Sequence, residues 1–136
     1  MSWNTVNDLC DIVRETSYAI HRYHRNGHLE KIYENALGHR LRKLGLKALQ
    51  QHPLRVYDED GTVLGEYFAD LFVEDRLVVE LKAVSQLEDI HFAIGRSYLK
   101  AMNLQDGLLF NFATAPLTIK RFCRERREPE SVDLLK

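Results

Sequence analysis

The 136 residues predict a mixed α/β (α+β) fold in which a helical start leads into a three-strand meander, a helix and a further strand. Three observations carry this. Two amphipathic helical periods fill the first third of the chain. Two β-rich runs joined by Glu74-Asp75-Arg76 form a hairpin signal. A short apolar run then follows another helical period, which makes it a candidate parallel strand in a mixed sheet.

Over residues 5–23, Leu9, Ile12, Val13, Thr16, Ala19, Ile20 and Tyr23 recur at helical spacing, with Asn4 or Thr5 as N-cap. Asn26-Gly27 breaks that period, and a second helix runs through Leu29, Ile32, Tyr33, Ala36, Leu37, Leu41 and Leu44 to close at Gly45. Residues 46–57 alternate but contain Pro53, which assigns them to a sheet edge because proline cannot donate to a ladder. Asp58-Glu59-Asp60-Gly61 turns the chain into residues 62–73. Beyond Lys82, Ser85 or Asp89 caps a helix carrying Ile90, Ala93, Ile94, Ser97, Tyr98, Ala101 and Met102. Residues 107–112 read as a buried strand and 117–122 as a last one. Residues 1–136 are expected to form one domain, ending in a charged tail over 123–136.

The hairpin carries the chemistry. With residues 74–76 as the loop, Asp70 falls opposite Glu80, and opposed residues of an antiparallel pair project from one face. Lys82, two residues on, joins them, while Val79, Leu81 and Ala83 turn to the other face. The surrounding run is apolar enough for a central strand, where an unpaired charge costs several kcal/mol. A structural salt bridge of Lys82 with Asp70 or Glu80 would offset that cost. So would a divalent cation: two carboxylates one strand spacing (~5 Å) apart, with the main-chain carbonyl of Leu81 nearby, offer the hard oxygen ligands that Mg2+ or Mn2+ takes. Lys82 could then orient a water or stabilise charge developing on a phosphate.

Composition narrows the classes. Nineteen basic against twenty acidic residues give a net charge of −1, which excludes a strongly basic nucleic-acid coating protein but allows a local basic face. Cys10 and Cys123 form no metal-knuckle or disulfide pattern. The first residues lack a basic or apolar leader, and no apolar run reaches membrane-spanning length, so a soluble, cytoplasmic protein without a membrane partner is expected. His21, His24 and His28 cluster at the helix break with no acid at fixed spacing to orient them, and read as surface or interface residues rather than metal ligands. Lys120, Arg121, Arg124, Arg126 and Arg127 are interleaved with glutamates and read as a solvated face. Glu30 shares a helix face with Tyr33; by itself it could simply complement the helix dipole.

Gly27-His-Leu-Glu30-Lys-Ile-Tyr33 resembles the motif of the GxxExxY protein family. Tyr33-Glu34-Asn-Ala-Leu37, Tyr67-Phe-Ala-Asp70-Leu, Val79-Glu80-Leu-Lys82-Ala, Tyr98-Leu99 and Gly107-Leu-Leu-Phe-Asn111-Phe112 resemble further blocks of that family, in its order. The family is placed in the PD-(D/E)XK nuclease superfamily, so the resemblance implies a restriction-endonuclease-like core with a mixed central sheet flanked by helices. It implies that Asp70 and Glu80 bind the metal, that Lys82 is catalytic, and that Glu30 completes the site directly or through water. One position departs: the family's glutamine, four residues before the tyrosine, is Ile94 here.

The expected activity is therefore metal-dependent hydrolysis of nucleic-acid phosphodiesters, DNA before RNA, using Mg2+ or Mn2+. The competing expectation, favoured by Ile94 and the near-neutral charge, is a non-catalytic nucleic-acid-binding or accessory module. A plain structural homodimer is a third. A homodimer is expected in the catalytic case too, since one small domain cannot surround a duplex; excess apolar residues on the first helix, together with Tyr98 and Phe122, are the candidate contacts.

Overall fold

The computed structural model describes residues 4–124. The charged tail expected over 123–136 lies outside the described residues from position 125 onward, as do Arg126 and Arg127; Cys123 itself belongs to a strand. Eight elements follow one another: α1 (Val6–His24), α2 (Glu30–Lys43), β1 (Ala48–Tyr57), β2 (Val63–Val73), β3 (Leu77–Lys82), α3 (Asp89–Met102), β4 (Asp106–Asn111) and β5 (Thr118–Cys123). The strands form one sheet in the order β1-β2-β3-β4-β5. Only β3 and β4 run parallel, joined through α3; the other neighbours are antiparallel. The mixed sheet and the edge position of β1 agree with the sequence reading.

Caps explain where the helices start. Thr5 closes a capping box with Asp8 at the head of α1. At α3 the cap is Glu88 rather than Ser85 or Asp89: its side chain takes the amide of the third helical residue, and His91 Nδ1 accepts from the Glu88 amide at 2.9 Å. Histidine thus takes the place usually filled by Glu or Gln, which hides the box from a sequence reading. Gly45, at φ 93°, ends α2 in the left-handed conformation that glycine adopts without steric cost.

Strand alternation sorts the core into two layers. Leu71, Val73, Leu77, Val79 and Leu81 pack with Leu9, Val13, Ile20, Tyr33, Leu37 and Leu41 of α1 and α2. Phe72 and Val78 pack with Tyr98 and Leu99 of α3, Leu109 and Phe122 on the opposite face. Ile94 belongs to this second layer as a half-buried apolar side chain. Phe122 lies across two glycines: a methyl group on Gly95 would sit 2.7 Å from its ring, and one on Gly107 closer still. The ring occupies the space that two absent side chains leave between helix and sheet. Tyr98 and Phe122 are 7% and 5% exposed, so the expectation that they form an association surface is overturned: both are core residues of this chain.

Candidate active site

The β2–β3 ladder pairs Val73 with Leu77, Phe72 with Val78 and Leu71 with Val79, around the three-residue loop 74–76. It ends there, one position before Asp70 and Glu80. On its other side β2 pairs with β1 from Ala48↔Val73 to Gln50↔Leu71 and again from His52↔Ala69, passing over Gln51 and Asp70. Asp70 therefore stands where both ladders of its strand are interrupted. On the β1 side the reason is local: Gln51 has φ 52°, a left-handed conformation that no extended ladder accommodates.

Side chains fill the gap between β2 and β3. Asp70 Oδ2 accepts from the Leu81 amide at 2.8 Å, and Glu80 Oε2 accepts from the Asp70 amide at 2.9 Å. Each carboxylate thus satisfies a main-chain donor that the open ladder leaves without a strand partner. Glu80 is 6% exposed. Burial, then the charge of Asp70, pushes its carboxyl up to about 9, against hydrogen bonding from Asp70 and the charge of Lys82. Burial also raises Asp70, with the Glu34 charge acting in the same direction and the Leu81 amide and Lys82 opposing it. The bare pair holds a proton at neutral pH because two buried carboxylates side by side cannot both ionise. Lys82 follows Glu80 by strand parity, the residue is half-buried, and among the described residues it makes no hydrogen bond or ion pair. The direct salt bridge that would have explained the cluster without a ligand is not formed.

The residues fit a cation. The donor set is hard oxygen, it carries excess negative charge, and the raised carboxyls mark a site whose ionised state needs an external positive charge. Among the described residues no group of three His, Cys, Asp or Glu side chains is arranged to hold a metal, so Asp70 and Glu80 would need main-chain oxygen and water to complete the shell.

Glu30 and Glu34 divide the work of α2. Glu30, at the first helical position, is exposed and accepts from the Ala83 amide at 3.2 Å, just past Lys82. The α2 carboxylate whose charge reaches Asp70 and Glu80 is instead Glu34, 4% exposed, one turn further along. Glu34 Oε1 accepts from Gln51 Nε2 at 2.8 Å, and Oε2 from Gln50 Nε2 at 2.7 Å and Lys31 Nζ at 2.9 Å. Glu34 and Gln51 are absent from the site expected from sequence. The available signal was Glu34's position beside Tyr33 and Leu37 on the buried face of the helix, where a carboxylate needs partners.

Tyr33 shows what the Gly27–Tyr33 segment does structurally. Its hydroxyl donates to the Arg25 carbonyl at 2.5 Å and accepts from the His28 amide at 3.2 Å, and its ring stacks on Phe112 at 4.5 Å. The tyrosine closes the loop between α1 and α2 and so fixes where Glu30 begins the helix. Across β4, the fully buried Asn111 takes the Val84 amide and donates to the Val84 carbonyl, securing the chain just beyond Lys82. His24 and His28 stand 5.8 Å apart in ring contact, outside this constellation.

A five-stranded mixed sheet with helices on both faces, opened at a fork that holds two carboxylates, is the architecture of a restriction-endonuclease-like domain. The chain belongs to the PD-(D/E)XK nuclease superfamily, whose family model matches residues 7–122. No curated protein and no solved structure matches it. The membership makes the domain nuclease-like, in a superfamily whose nucleases generally use divalent metals and act on nucleic acid. Among the described residues, no helix is long and apolar enough to cross a membrane.

Proposed function

We propose that the protein is a metal-dependent phosphodiesterase acting on DNA, in the GxxExxY group of its superfamily, with Mg2+ or Mn2+ as cofactor. The observation that carries this is the fork at Asp70 and Glu80: two carboxylates on adjacent strands, each holding a main-chain amide of the other strand, with Lys82, which makes no ion pair among the described residues, on the same face by strand parity. Asp70 and Glu80 would hold the cation with the Leu81 carbonyl, and Glu30 would support the site from the head of α2. When bound, the divalent ion supplies charge neutralisation and an activated water. To serve as a ligand, Glu80 would give up the proton that burial makes it hold. Lys82 would present its amine to the reacting phosphate, to orient water and stabilise developing charge. The two free thiols suit a reducing compartment, and we place the protein in the cytoplasm. Two copies would serve the two strands of a duplex.

A plasmid-nicking assay tests the reading. Nicking should require Mg2+ or Mn2+, stop in EDTA and be lost in Glu80→Ala. Activity surviving both EDTA and Glu80→Ala would sink it. Retained DNA binding with no cleavage of DNA or RNA in any metal would favour the non-catalytic alternative, for which the packing of apolar, half-buried Ile94 against the α3 layer is the supporting observation.

A further inference from the structure

Gln51 combines two unusual properties. It is a non-glycine residue in the left-handed region in the middle of a strand, and its side chain bridges two carboxylates. Nε2 lies 2.8 Å from Glu34 Oε1 and 3.2 Å from Asp70 Oδ1, so both amide hydrogens are donated. An extended residue at this position would restore the β1–β2 ladder and change where its side chain points. The backbone departure and the bridge are therefore one feature. Strain of this kind persists only where the surroundings over-determine it, and it concentrates at functional sites.

The bridge completes the restraint on Asp70. Its Oδ2 is held from β3 by the Leu81 amide, and its Oδ1 from β1 by Gln51. A carboxylate's terminal torsion is broad and roughly two-fold when nothing fixes it. With a donor on each oxygen, from opposite neighbours, the plane of the group is set before any ligand arrives. Glu34 anchors the arrangement, since its other oxygen is held by Gln50 and Lys31. We propose that Gln51, anchored on buried Glu34, is a positioning residue that presets the Asp70 carboxylate for cation binding. The proposal rests on the metal-dependent reading of the site. Outer partners that orient a ligand typically contribute 10–100-fold to metal affinity.

The test is Mn2+ titration of the full chain by calorimetry, with wild type, Asp70→Asn, Gln51→Gly, Gln51→Asn, Glu34→Gln and Gln50→Ala. Glycine removes the amide and adopts the left-handed backbone freely; asparagine tolerates that backbone but presents its amide one methylene short. Both Gln51 variants should bind Mn2+ about 10–100-fold more weakly than wild type. Gln51→Gly combined with Glu34→Gln should be no weaker than the weaker single variant, because both act through one bridge. Gln50→Ala, which loosens the Glu34 anchor but leaves the Gln51 bridge and both donors to Asp70 in place, should weaken Mn2+ binding less than either Gln51 variant. Wild-type affinity in both Gln51 variants, or an equal loss in Gln50→Ala, overturns the positioning role and leaves the metal site standing. Absence of Asp70-dependent binding in wild type overturns the metal reading and this inference with it. Should the glycine variant fail to fold, the asparagine variant decides.

Discussion

Replacing Glu80 by glutamine should make the metal-free protein more stable, by an amount that grows with pH. Glutamine keeps the shape of the side chain and an oxygen for the Asp70 amide, but it does not titrate. In the folded chain the Glu80 carboxyl is raised from its ordinary 4.5 to about 9. Between those values the folded state keeps a proton that the unfolded chain releases, so stability is full below pH 4.5 and is lost as pH rises through 9. The slope is about 1.4 kcal/mol per pH unit, or roughly 3 kcal/mol between pH 5.5 and pH 8. With an unfolding entropy of about 2 cal/mol/K per residue, the melting temperature of wild type should fall about 10 °C relative to Glu80→Gln over that interval. Asp70 faces a neutral neighbour in both proteins across this range, so its own titration drops out of the difference. Circular-dichroism melts in EDTA at pH 5.5, 6.5, 7.5 and 8 measure the effect directly. Parallel curves, with a constant gap at every pH, would mean that Glu80 is ionised in the folded protein and that the shared-proton picture of the site is wrong.

Lys82→Met should lower nicking by at least about 100-fold while leaving the Mn2+-induced rise in melting temperature intact or larger, since a competing cation has been removed; a smaller rise would place Lys82 in metal binding instead. Glu30→Gln should reduce the Mn2+-induced rise relative to wild type, and equal rises would confine Glu30 to its hydrogen bond with the Ala83 amide. Tyr33→Phe keeps the ring on Phe112 but loses the bonds to Arg25 and His28, which should cost about 1–3 kcal/mol and speed amide exchange over residues 25–29; exchange unchanged there would show that the loop is held by other contacts.

The hairpin register is legible in the sequence because a three-residue loop and strict alternation leave one pairing, which puts Asp70 opposite Glu80 without reference to the rest of the fold. The helices and the mixed sheet follow from apolar period and from the helix between β3 and β4. What escapes is decided over longer range. Glu34 forms an i,i+3 pair with Lys31, which reads as a solvated helix face and masks the contrary signal of its neighbours Tyr33 and Leu37. Gln51 carries no mark of a left-handed backbone, since glutamine, unlike glycine or asparagine, has no preference for that region. Tyr98 looks like an edge residue until α3 is laid on the sheet, which closes over it and leaves its phenol raised by burial and by the charges of Glu80, Asp70 and Tyr67.

The ring of Phe122 limits how this sequence can drift. Gly95 and Gly107 lie on different elements, yet the smallest possible enlargement of either meets the same ring. An alanine at Gly95 or Gly107 alone should therefore be poorly tolerated, although neither backbone has a dihedral angle that demands glycine. A smaller side chain at position 122 should readmit it. Across descendants of this chain the three sites are expected to change as a set, helix, strand and ring together, and α3 keeps its distance from the sheet only while that set is conserved in volume.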